Sequence, residues 1–403
     1  MKVIGHIDAD CFYVSCERVR APNLKNKPVA VLGNQGACVI ARSYEMRPFG
    51  VSVGMPVWEA KKLCPEGIFV RRDFKWYSIL SYAMQDVLKQ FSDVIEYYSI
   101  DESFVDFGEY NREWKKLGKE IQEEMLKQTG IPVSVGISMS RVLAKTASDK
   151  NKPLGVTVVN KENLKKFLKS VPVIDVPGIG RKLNDRLEYL GVKTVWDYVK
   201  KPSSLIKKVL HKPGEEIWYE MQGKSLLPIR SKRPERKAMS RGCSLWGYHN
   251  DPNYVWAFLV RNLERLADGL FKEEMEILNL TVLLVSSDGQ ALKQVEKLPD
   301  FTNDYFALIN ALRRGFWTLF TKKRKYTSVH LFGDPLRTVK GKQLNLFEKK
   351  NSKNEKIVKI KQQINRKYGM YCVRSGATAY IPEVFEDKTS DFEISDIEGK
   401  FCF

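Results

Sequence analysis

The chain has 403 residues, enough at about 150 per domain for two to four domains, and with 43% hydrophobic and 29% charged residues its composition is that of a globular protein, neither disordered nor fibrous. No apolar stretch approaches the ~20 residues of a membrane span, MKVIGHIDADCF is no signal peptide, and the seven scattered cysteines form no CxxC pair. These features argue against a membrane protein, a disulfide framework or a zinc site, and predict a reduced, cytoplasmic chain. Against 48 Asp plus Glu stand 67 Lys plus Arg, a net charge of +19, which favours a polyanionic partner without identifying it.

In chain order, β-rich runs alternate with helical segments from Met1 to about Asn160. Strands are predicted at Val3 to Ile7, Val29 to Leu32, Cys38 to Arg42, Ile68 to Val70, Val94 to Ser99, Ser103 to Phe107, Val133 to Ser138 and Val156 to Val159. Helices are predicted at Tyr77 to Phe91 and Glu113 to Gln128, giving a mixed-sheet α/β domain. From Lys161 to about Lys201 two lysine-rich helices flank VPGIG (Val176 to Gly180). Leu227 to Lys237, dense in Pro and basic residues, reads as a solvated linker with too few apolar residues to pack. A second, smaller α/β domain follows from Ala238 to Leu336, with strand runs Glu276 to Ser286, Ala291 to Lys297 and Tyr326 to Phe332 around an amphipathic helix at Asp304 to Phe320.

Asp8 ends an apolar strand, and EYYSIDESFVDF places Asp101 and Glu102 at the centre of a hairpin-like alternation. Strand ends and turns can expose carboxylates while the sheet body stays buried. By spacing alone, ordinary turn carboxylates are the better reading. If the three converge, their repulsion calls for a divalent cation, and oxygen ligands with no His or Cys nearby favour Mg²⁺ and phosphoryl-transfer chemistry.

Five segments in order decide between these readings: IDADCFYVSCE (Ile7 to Glu17), SYEMRPFGVSVGMP (Ser43 to Pro56), YSIDESFVDF (Tyr98 to Phe107), VSVGISMSRVLAKTASDKNKP (Val133 to Pro153) and VPGIG. Together they resemble the Y-family translesion DNA polymerases, of the UmuC/UvrX-like (ImpB/MucB/SamB) branch, over residues 1 to about 336. The resemblance implies a multidomain α/β right-hand polymerase with a ferredoxin-like palm (1–165) into which small fingers are inserted at about 20–75. It further implies a helical thumb with a helix-hairpin-helix (166–226), a linker (227–237), an α/β little finger (238–336) and a C-terminal tail (337–403).

It also implies roles. Asp8, Asp101 and Glu102, with the backbone carbonyl of Ala9, would hold two Mg²⁺ ions. Asp10 is set aside because the family's ligand matches the first Asp, and Asp106 reads as a structural strand-end group. Tyr13 stands at the family's steric gate against a 2′-hydroxyl with Phe12 as a further substrate-binding contributor, and Tyr44, Arg47 and Lys152 match positions that reach the dNTP triphosphate; Arg141 and Lys145 stay ambiguous. Gly178, Gly180, Arg181 and Lys182 would grip primer-template DNA through its phosphates, extended by the basic runs Arg230 to Lys237 and Lys322 to Lys325. Gln343, Leu344, Leu346 and Phe347 look like a bacterial sliding-clamp peptide, and a recombinase filament or accessory subunits are further candidate partners. The implied activity is low-fidelity translesion synthesis without proofreading. A non-catalytic DNA- or clamp-binding factor on the same fold, or a cyclase or nuclease, is the competing reading, and the intact carboxylate set, the gate and the PGIG turn speak against it.

Overall fold

Ile4–Ala9 (β1, IGHIDA) is buried at all six positions, as a strand is when neighbours pair with both edges and helices or loops cover both faces. In the computed structural model, which describes residues 3–33, 38–109, 113–232, 235–339, 352–368 and 371–379, β1 is the middle strand of a five-stranded sheet. The chain divides between residues 233 and 234 into two compact units.

In the first unit, α1 (Phe12–Arg20) leaves β1 through a turn at Cys11, whose φ of 47° is left-handed. Next come β2 (Val29–Leu32), β3 (Val39–Arg42), a 3-10 turn (Tyr44–Phe49), α2 (Val57–Leu63) and β4 (Ile68–Arg71). These build a small three-stranded sheet, β3-β2-β4, with its own core around Val39, Met46 and Cys64. The main sheet resumes through α3 (Phe74–Leu88), β5 (Ile95–Tyr97), β6 (Glu102–Asp106), α4 (Trp114–Thr129), β7 (Val133–Ser138), α5 (Arg141–Lys150) and β8 (Val156–Val158), in the strand order β5-β6-β1-β7-β8. α5, capped by the Ser140 hydroxyl accepting from Leu143 N–H, lies hard against the sheet at Gly136. A Cβ there would stand 2.1 Å from the Ala144 carbonyl oxygen, so only glycine allows this approach.

Four helices complete the unit around a separate core: α6 (Leu164–Ser170), α7 (Arg181–Glu188), α8 (Val195–Lys200) and α9 (Ser203–Glu220), the last kinked at His211. Thr194 and Asp197 form a reciprocal capping box at the start of α8. The expected linker is not wholly solvated. Leu227 packs on this helical core, Ile229 packs on a cluster of Ile4, Phe104 and Ala144, and Arg230 N–H donates to Glu96 Oε2 at 2.7 Å. Two apolar side chains at alternate positions are enough to anchor its first half.

The second unit contains β9 (Met239–His249), α10 (Pro252–Lys272), β10 (Met275–Ser286), β11 (Ala291–Thr302), α11 (Tyr305–Leu319) and β12 (Tyr326–Thr338), with sheet order β11-β10-β12-β9 and both helices packed into its apolar core. After it, α12 (Ser352–Tyr368) brings Lys361 Nζ to 2.5 Å from the buried Glu264 carboxylate, which also accepts from Ser375 N–H at 2.8 Å. Among the described residues no helix is long and apolar enough to cross a membrane.

Candidate active site

The antiparallel pairing of β1 with β6 sets Asp8 directly opposite Glu102, so the two carboxylates leave the sheet on the same face. Ala9 N–H donates to the Asp101 carbonyl at 2.9 Å, which ties the end of β1 to the turn before β6. The Asp101 side chain accepts from Ser99 Oγ at 2.5 Å. Asp8 and Glu102 fall in one group of candidate ligand atoms, while Asp101, in the turn before β6, is outside that group but close enough for its charge to act on Asp8.

Two lysines answer this charge. Lys152 Nζ lies 2.7 Å from Asp8 and 2.7 Å from Asp149, and Lys145 Nζ lies 2.5 Å from Glu102. Burial, aided by Glu102 and Asp101 and opposed by Lys152, pushes Asp8 up to about 8. Burial works against the Lys152 ammonium, but Asp8 and Asp149 outweigh it and hold its pKa above the ordinary lysine range. A buried carboxylate this reluctant to ionise, beside a second one and among hard oxygen donors, fits a divalent cation.

The donor set is not free of nitrogen, contrary to the sequence expectation of no neighbouring His. His6 shares the face of Asp8 two residues along β1, and its Nε2 lies 4.0 Å from Glu102 Oε2. One ligand atom each from His6, Asp8 and Glu102 lie within 4.8 Å of one another. The ring is fully buried, and burial, with Lys145, Lys152 and Arg141 nearby, lowers its pKa well below the usual histidine value. Period-two spacing places His6 and Asp8 on one face, but only the pairing of β1 with β6 brings the ring to Glu102.

Asp10 is buried and accepts from Ser134 Oγ at 2.9 Å, Leu154 N–H at 2.8 Å and Tyr44 Oη at 3.1 Å. It pins the two loops that carry Tyr44 and Lys152. Arg47 lies over the Tyr44 ring, 4.0 Å from its centroid, so the two share one side of their turn. Arg141 pairs with Glu96 at 2.6 Å. Phe12 and Tyr13 are both buried in one core cluster, where Tyr13 stacks on Tyr77 at 4.8 Å and meets Phe74 edge-on.

Away from the carboxylates, Gly178 has φ +93° within VPGIG, and a Cβ there would press on Ile217 at 2.8 Å. Gly180 caps α7, which opens with the exposed Arg181 and Lys182. Gln343, Leu344, Leu346 and Phe347 lie outside the described residues.

A palm-like sheet carrying paired carboxylates, followed by a helical hairpin region and a four-stranded α/β unit, defines the class of nucleotide polymerases built as a right hand. The family model for impB/mucB/samB matches residues 7–149, and that for the IMS family HHH motif matches residues 161–192. DNA polymerase IV of Bacillus velezensis is 31% identical over 93% of this chain and 93% of its own length, and DNA polymerase IV 1 of Bacillus subtilis is 30% identical over 94% and 93%. Among solved structures, a Y-family DNA polymerase chimera of Dbh and Dpo4 aligns with a TM-score of 0.72 at 26% identity, covering 83% of this chain and 99% of that one. The insertion ternary complex of Dbh DNA polymerase aligns at 0.55 and 25% identity, covering 83% and 99%. The chain belongs to the impB/mucB/samB family of Y-family DNA polymerases.

Proposed function

We infer that the chain is a template-directed DNA polymerase that copies past lesions, joining the primer 3′-oxygen to the α-phosphorus of a dNTP as the bond to pyrophosphate breaks. The observation that carries this reading is the pairing of Asp8 with Glu102 at the end of a buried strand, beside Asp101, in a chain of this family.

Asp8, Asp101 and Glu102, with the Ala9 carbonyl, would hold two Mg²⁺ ions. When bound, the ions supply a lowered pKa for the 3′-hydroxyl and neutralise charge on the phosphates. Tyr44, Arg47 and Lys152 hold the triphosphate, for which a guanidinium fork and an ammonium are suited. For Lys152 this means leaving a carboxylate partner for a phosphate. Tyr13, backed by Tyr77, presents a fixed ring under the sugar and excludes the 2′-hydroxyl by bulk. Gly178 and Gly180 let the backbone N–H groups before and at α7 approach a DNA phosphate, with Arg181 and Lys182 adding charge but no base readout. Gln343, Leu344, Leu346 and Phe347 dock in a sliding clamp, and the setting is the cytoplasm. Support for primer-template DNA and dNTP as partners comes from the polymerase relatives and from the Dbh ternary complex.

Primer extension on damaged and undamaged templates tests this. Mg²⁺-dependent, template-directed extension across a lesion is expected; a protein that binds primer-template but never extends it restores the accessory-factor reading.

A further inference from the structure

Ser148 Oγ accepts or donates at 2.7 Å to His6 Nδ1 and sits 2.8 Å from the Lys145 carbonyl. A hydroxyl has one proton, and a carbonyl can only accept. The serine proton therefore goes to Lys145, and His6 Nδ1 must be the donor to Ser148. In a neutral ring this leaves Nε2 as a bare lone pair. That atom is fully buried, has no hydrogen-bond partner, and points at the carboxylates of Asp8 and Glu102. A lone pair facing two ionised carboxylates meets no proton from them, and a cation between the three groups satisfies all of them.

The arrangement is built rather than incidental. The register places His6 beside Gly136 on β7, where α5 comes so close that an added Cβ would lie 2.4 Å from Ser148 N. The glycine lets α5 deliver Ser148 to the ring. Histidines that ligate metals characteristically donate their other N–H to a fixed acceptor, which sets the tautomer and orientation; here Ser148, itself fixed on the Lys145 carbonyl, does so.

We propose that His6 Nε2 is a nitrogen ligand which, with Asp8 and Glu102, makes one cation position prefer a divalent transition metal such as Mn²⁺ over Mg²⁺. Imidazole nitrogen favours first-row transition ions, whereas Mg²⁺ prefers oxygen. The proposal rests on the reading that Asp8 and Glu102 hold a cation.

The test is pulsed electron paramagnetic resonance on the full-length wild-type chain with substoichiometric Mn²⁺ and no DNA, using protein with ¹⁵N confined to its four histidines. Modulation from a directly bound histidine nitrogen is expected, and it should vanish in His6→Phe. By calorimetry, Mn²⁺ should bind the wild type at least tenfold more tightly than Mg²⁺, and His6→Phe should lose most of that preference while Mg²⁺ affinity changes less than threefold. Bound Mn²⁺ without histidine coupling in the wild type overturns the proposal whether or not the variant folds, and so does an absence of Mn²⁺ binding. Asp8→Ala separates the two levels: if it abolishes Mn²⁺ binding while no histidine coupling is seen, the carboxylate site stands and the nitrogen ligand falls. If Mn²⁺ binding survives Asp8→Ala unchanged, the carboxylate reading fails as well.

Discussion

Lys152 Nζ stands 2.7 Å from Asp8 Oδ1, an ammonium in contact with the carboxylate that the polymerase reading assigns to a metal. On the proposed roles the same lysine also serves the triphosphate, so metal and nucleotide binding would be coupled, with Lys152 leaving Asp8 for phosphate as a metal ion binds there.

The first prediction concerns protons. Asp8 is pushed up from 3.8 to about 8. Between those values the folded chain keeps a proton that the unfolded chain has lost, so this group makes stability fall as pH rises through the window. Metal binding must expel that proton. At pH 7, Mg²⁺ titrations in buffers of different ionisation enthalpy should report release of about one proton, falling toward zero above pH 9. Asp8→Asn should abolish the release; a wild type that releases none at pH 7 would show Asp8 already ionised.

Sugar selection gives the second. Tyr13→Ala should admit ATP opposite a template T at a rate approaching that of dATP. Because the ring is buried against Tyr77 and Phe74, the same change should also cost about 3–5 kcal/mol of stability. Denaturant melts alongside incorporation assays measure both, and unaltered discrimination in a folded variant would remove Tyr13 from the gate.

The third is structural. In Gly136→Ala the new methyl meets the backbone of α5 at Ala144 and Ser148, which cannot yield as a side-chain tip would. A loss of about 3 kcal/mol or more is expected from denaturant unfolding, since overpacking against backbone is among the costlier changes. A loss under about 1 kcal/mol would mean that α5 can slide outward.

The fourth separates the tail from the chemistry. Changing Leu346 and Phe347 together to Ala removes two anchors worth about 1.5–3 kcal/mol each when enclosed, so clamp affinity should drop at least about a hundredfold. Extension on short primers without clamp should be unchanged. Clamp capture by a folded double variant at wild-type strength would exclude this peptide.

Much of the site follows from local pattern. Asp8 and Glu102 stand at the ends of runs whose β character is plain, and Gly178 sits in a turn that needs a positive φ. His6 was hidden because a histidine in an apolar strand reads as core; its meaning comes from the pairing of β1 with β6 and from the approach of α5 at Gly136, neither of which is local. Asp10 holds Tyr44, Ser134 and Leu154, and that work depends on three segments distant in sequence. In the second unit, β9 escaped notice because MSRGCSLWGYH carries two glycines and no β-branched residue, and sheet pairing to β12 overrides that weak propensity.

The most direct test of the central claim is single-turnover primer extension by Asp101→Ala with Mg²⁺, alongside its primer-template affinity. The account predicts extension reduced at least about a thousandfold, because a metal-holding carboxylate acts on the transition state, with DNA affinity within about twofold of the wild type, because the phosphate grip lies elsewhere. Extension near the wild-type rate would contradict it.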